Sequence, residues 1–202
     1  CYESAYEIKN NSDNFSQDII FYEGSELSNG TFEINLFKSI LDKLVLSQTF
    51  KIGALNPIIV SSNERSVVPI LARYFMGGSG MSYGEMLRGY RENSIGPYYY
   101  ENNYPVRGKL LSRYSVEVRL LFSSNPTMYG FIFADAGNVW SGYDTIDPYH
   151  LKRSAGLGVR LFMPMLGLIG YDIGYGFDPS SYGGDNIPWG WDHHLIFGAG
   201  IN

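Results

Sequence analysis

The feature that most constrains this chain is a two-residue alternation repeated along most of its length. Over residues 168–177, Ile169, Tyr171, Ile173, Tyr175 and Phe177 take the odd positions, and Gly170, Asp172, Gly174 and Gly176 the even ones. Successive side chains of a strand point to opposite faces, so each set belongs to one face. Residues 110–122 repeat the pattern, with Tyr114, Val116, Val118, Leu120 and Phe122 opposing Arg113, Ser115, Glu117 and Arg119. Over 153–163, Leu157, Val159 and Leu161 oppose Gly156, Gly158 and Arg160. Weaker versions run through 31–41, 43–55, 128–140 and 189–202, and 2–9 and 15–23 are expected strands of unassigned facing. One face is bulky and apolar; the other is small, glycine-rich and carries charges of both signs. A transmembrane β-barrel has this pattern, apolar outside and polar inside over about ten residues per strand. By itself the alternation fits a soluble sandwich or a lipocalin-like barrel equally well.

Composition narrows the field. With 24 Gly, 17 Tyr and 12 Phe in 202 residues, the chain has the make-up of strands and not of a helix bundle. Charged residues at 17% are too few for a disordered polyelectrolyte, and a net charge of −5 offers no attraction for nucleic acid. No window reaches the roughly 18 unbroken apolar residues of a membrane-spanning helix. A single cysteine excludes an intrachain disulfide. That cysteine is Cys1, which fits, in descending order, a piece of a longer protein, a processed chain or a lipidated N-terminus.

Loop lengths separate the two barrel readings. Connections at 178–188, 141–151 and 56–108 are long, whereas those at 164–167, 123–126 and around Asp42 are tight. Tight turns on one rim and long loops on the other are the asymmetry of outer-membrane barrels. Tyr129, Trp140, Tyr149, Trp189 and Trp191 lie near expected strand ends, where amphipathic rings favour the lipid–water interface. The reading is therefore an all-β, antiparallel transmembrane barrel, with 1–14 as an N-terminal segment or partial strand and 15–202 as barrel strands. The loop 56–108 is too long for a simple connection. Its Phe75, Met76, Met81, Met86, Leu87 and Tyr90 favour burial, and glycines at 77, 78, 80, 84 and 89 permit tight turns. A loop that hides apolar residues while rooted in a barrel is expected to enter the lumen. Its glycines match neither a P-loop nor a dinucleotide-binding turn.

Four short motifs then occur in order. Leu87-Arg88-Gly89-Tyr90 resembles the (Val/Ile/Leu)-Arg-Gly-(Phe/Tyr) motif at the tip of the inserted loop in BamA-type outer-membrane assembly proteins. Ile95-Gly96-Pro97 resembles the Ile-Gly-Pro that follows it in that branch. Phe133-Ala134-Asp135-Ala136-Gly137 resembles the superfamily's Phe-x-Asp-x-Gly strand, and Gly156-Leu157-Gly158-Val159-Arg160 its next strand. The resemblance covers Phe15 to the C-terminus and implies about the last eight strands of a barrel of about sixteen.

It also implies a function: folding and inserting nascent β-barrel proteins into the bacterial outer membrane, without a cofactor. The implied partners are outer-membrane lipids, nascent barrel clients and accessory assembly lipoproteins. The alternatives are a two-partner-secretion-type polypeptide transporter or a passive porin. The family pattern places Arg88 against Asp135 and Glu117, whose carboxylates suit a guanidinium better than a lysine ammonium. Phe133, Asp135 and Gly137 share one face by parity, and Gly89 and Gly137 are expected to let loop and wall approach. The last strand, with Leu195, Phe197, Gly198 and Gly200, is expected to form one edge of a lateral seam that templates incoming strands. Glycines there weaken pairing, and Ile201-Asn202 departs from the family's terminal aromatic. No enzyme is expected. Among the histidines, His150, His193 and His194, only one of the last two can face the lumen, no Gly-x-Ser-x-Gly elbow occurs, and no Cys/His set has metal spacing.

Overall fold

A computed structural model describes residues 4–7, 15–24, 28–56, 73–80, 84–97, 107–163, 167–180 and 190–198. Among the described residues, nine strands form one antiparallel meander, each paired with its sequence neighbours: β1 (Ser4–Glu7), β2 (Phe15–Gly24), β3 (Ser28–Leu41), β4 (Leu44–Asn56), β5 (Leu110–Ser124), β6 (Thr127–Trp140), β7 (Lys152–Met163), β8 (Gly167–Gly176) and β9 (Trp191–Gly198). The alternating segments all became strands, since a period of two can bury only one face of a strand at a time. The last strand is described to Gly198; the expected seam residue Gly200 lies outside the described residues, as does Trp189.

Register confirms the facing. Ser47 pairs with Glu117, Ser115 with Asp135, Asp135 with Ser154 and Asp172 with His194, and directly opposed residues share a face. All of these side chains are buried. On the other face, Ile132, Leu157, Leu195 and Phe197 are each more than half exposed, at 61, 53, 56 and 57%. The wall is therefore inside-out relative to a soluble sandwich: polar groups are enclosed and aliphatic ones face outward. That arrangement is stable only where the surroundings are hydrocarbon.

The rims differ as the loop lengths require. Leu41 pairs with Leu44 across Asp42-Lys43, Ser124 with Thr127 across Asn125-Pro126, and Met163 pairs with Gly167. Both register shifts, at Ser39/Leu41 and Leu121/Ser123, fall beside these tight turns. The opposite rim carries the three long connections. One aromatic assignment changes. Tyr129 occupies the enclosed face with Phe131 and Phe133, its ring 6.1 Å from that of Phe131 and 5.7 Å from the Arg119 guanidinium. Position near a strand end suggested a lipid-facing ring, but the parity of β6 turns it inward.

Candidate functional site: the loop tip against the barrel wall

The connection from β4 to β5 folds back over the enclosed face and is held by its own backbone bonds. Tyr74 and Gly108 exchange both bonds (2.8 and 2.7 Å), as do Met76 and Ile95 (3.1 and 2.9 Å) and Gly78 and Leu87 (3.0 and 3.2 Å). Gly77, Gly78, Gly80 and Gly89 adopt positive φ, which lets so short a segment reverse direction. Met76, Leu87, Tyr90 and Ile95 pack with Leu111 of β5 and Val139 of β6 into the molecule's apolar cluster. Among the described residues, the core thus lies between loop and wall. Phe75 is buried too, while Met86 is only half-buried and Met81 lies outside the described residues.

Arg88 projects from this cluster with no solvent exposure. Its Nε and Nη2 donate to the two oxygens of Asp135 at 2.8 Å each, a bidentate fork, and Nη1 donates to Glu117 Oε1 at 2.6 Å. Nη2 also reaches Ser115 Oγ at 3.1 Å, and that hydroxyl donates to Asp135 Oδ1 at 2.6 Å. The guanidinium lies 3.8 Å from the Phe133 ring centroid, a cation–π contact in a desolvated setting. Burial alone would disfavour the Arg88 cation. Asp135 and Glu117 outweigh it and raise the pKa above the ordinary arginine value. Arg119 takes the other oxygen of Glu117 at 2.7 Å, so two cations face two carboxylates and the cluster is neutral.

The strand motifs supply room for this arrangement. Phe133 pairs with Gly156 and Phe131 with Gly158 across β6 and β7. A Cβ on Gly156 would fall 2.6 Å from the Phe133 ring, and one on Gly158 would meet the Phe131 ring and Asp172. These glycines are the floor on which the rings lie. Arg160 does not join the Arg88 cluster. It forms its own bidentate pair with Asp172 of β8, with Nη2 donating to Oδ2 at 2.8 Å, and its guanidinium is 4.7 Å from the Phe131 centroid. Phe131 is thereby flanked by Arg160 and, at 5.5 Å, by Arg88. Gly137 faces the loop: a Cβ there would come 2.7 Å from Met76 Sδ.

Gly89 and Tyr90 extend the contact to the remaining strands. Gly89 packs so closely on β8 that a Cβ on Gly174 would lie 2.6 Å from its nitrogen. Its amide donates to Nε2 of His194 on β9 at 3.1 Å. The Tyr90 hydroxyl donates to the carbonyl of Arg153 on β7 (2.7 Å) and accepts from the amide of Asp178, just past β8 (3.2 Å). Burial pushes the Tyr90 phenol up to about 12. Three consecutive residues thus touch every strand from β5 to β9. On a flat sheet those strands would span about 19 Å, four spacings of ~4.8 Å, so the wall must wrap around the tip to meet it.

Sequence reasoning missed several partners. Alternation shows only that one of His193 and His194 can face the lumen, and it presents Asp172, Gly174 and Gly176 as part of one small, polar face. Glu85, a second loop anchor bonded to Lys51 at 2.7 Å and near Arg113 at 3.8 Å, drew no notice. Of the seam residues, Leu195 and Phe197 face outward and Gly198 is the last described residue of β9.

An inside-out antiparallel wall whose enclosed face is plugged by its own long loop defines an outer-membrane β-barrel with a luminal plug. Residues 13–201 match the model of the Omp85 superfamily domain, and the chain belongs to that superfamily. Its fold is similar to the crystal structure of BamA from Haemophilus ducreyi lacking POTRA domains 1–3, with a TM-score of 0.62 at 20% sequence identity. That alignment covers 95% of this chain and 41% of the BamA chain, so the chain spans well under half the length of the structure it matches. No curated protein sequence matches it. Family membership places the chain in the bacterial outer membrane.

Proposed function

We propose that this barrel region works in the folding and insertion of nascent β-barrel proteins into the outer membrane, with those client chains and the surrounding lipids as its partners and accessory lipoproteins assisting. The observation that carries this reading is the combination of a loop tip clamped to β5–β9 and a sheet whose last strand, β9, has a neighbour on one side only among the described residues. An unpaired strand edge presents a row of backbone donors and acceptors that an incoming strand can satisfy by β-augmentation. The clamp supplies a fixed wall behind that edge, so the edge can exchange partners while the rest of the barrel stays intact. Nothing in this work requires a cofactor.

Reconstitution tests it. With equal amounts of protein in liposomes, Arg88→Ala or Asp135→Ala is expected to lower the yield of a folded client barrel, read as heat-modifiable gel mobility. Unchanged client yield in both variants would remove the reading. A transporter would instead keep client assembly, lose export of a partner polypeptide and show larger single-channel conductance once the loop is deleted.

A further inference from the structure

The contact between Gly89 and His194 joins the inserted loop to the edge strand, and its chemistry is specific. A backbone amide can only donate, so Nε2 must present a lone pair, and the neutral imidazole must carry its proton on Nδ1. His194 is 5% exposed and stands directly opposite Asp172 on β8. Both oxygens of Asp172 are already occupied by Arg160. The lone pair of Nε2 has nothing to accept from that carboxylate, and it takes the loop amide instead. The approach is prepared from the loop side as well. Gly89 holds φ of +81°, and Gly174 and Gly176 have no side chain in the way of its backbone.

We infer that His194 is a positioning residue that couples the loop tip to the edge strand, acting as a hydrogen-bond acceptor in its neutral Nδ1–H form. The tip's other contacts grip β5 to β8, which have strands on both sides. This one reaches β9, which has a neighbour on one side only among the described residues. While the bond is made, the inner face of β9 is tied to the same motif that grips Asp135. When it is broken, β9 is held, among the described residues, by its ladder and side-chain contacts to β8, and opening the edge is decoupled from the position of the tip. The inference concerns how the edge is held, and it applies equally to a barrel that assembles clients and to one that exports them.

Amide hydrogen exchange on the protein in lipid discs tests it without any client. In His194→Leu, which keeps volume but offers no acceptor, protection should fall about tenfold, the effect of losing one buried hydrogen bond, both at residues 87–90 and along β9. His194→Gln, whose side-chain oxygen can take the place of Nε2, should retain protection at both. In the wild type, nitrogen NMR of His194 should show Nε2 unprotonated. Wild-type protection in His194→Leu, equal losses in the two variants, or a protonated Nε2 would each overturn the inference. Loss of client assembly with this coupling intact would strike only at the proposed function.

Discussion

At the scale of single residues, Arg88 decides whether the loop is seated. Removing it leaves Asp135 buried without its ion-pair partner, and such a loss costs about 3–5 kcal/mol. Arg88→Ala is therefore expected to lower the urea midpoint of the folded barrel in vesicles. Arg88→Lys should recover only part of the loss, because an ammonium cannot match both oxygens of Asp135 and Glu117 at once. Tyr90 gives a second handle. In the seated loop its phenol is raised to about 12, against an ordinary value of 10.0 for a released one. The raised value means that the seated state holds its proton longer. Its contribution is complete below pH 10 and is lost as pH rises from there toward about 12. A phenolate absorbance titration should show one late-titrating tyrosine, absent in Tyr90→Phe. Protease cleavage of the loop should begin in the same window.

At the scale of elements, glycines set the distance between loop and wall. Gly174→Val touches no polar contact of the tip but fills the space where Gly89 lies. It should unseat the loop, read as protease access to 84–97, while β7 and β8 stay paired. This scale also explains what the sequence made legible. Strand positions and facing could be read because alternation is local, and the inward facing of Phe133, Asp135 and Gly137 follows from parity on one strand. The resemblance then pointed Arg88 at them. His194 could not be paired with Gly89 in the same way, because they are 105 residues apart and meet only when the wall wraps around the tip. Arg160 was visible as part of a motif, but its partner Asp172 depends on the register between β7 and β8. Tyr129 was misassigned because proximity to a strand end says nothing of which face a ring occupies.

At the scale of the whole molecule, the inside-out wall makes opposite demands on its two faces. Leu157 lies at the middle of β7 with its side chain outward. Leu157→Arg should destabilise the barrel in bilayers by about 2–4 kcal/mol, the cost of a cation near the hydrocarbon midplane. Urea titration in vesicles would measure it. The effect should shrink when the same substitution is moved toward either rim of the outward face.

The reach of Leu87-Arg88-Gly89-Tyr90 across β5 to β9 has one more consequence, for the order of events. The chain makes the tip long before it makes its last contact, and contacts so distant along the chain form late. The motif cannot satisfy all its donors until β9 is in place, so its seating records that the staves from β5 to β9 are assembled behind it.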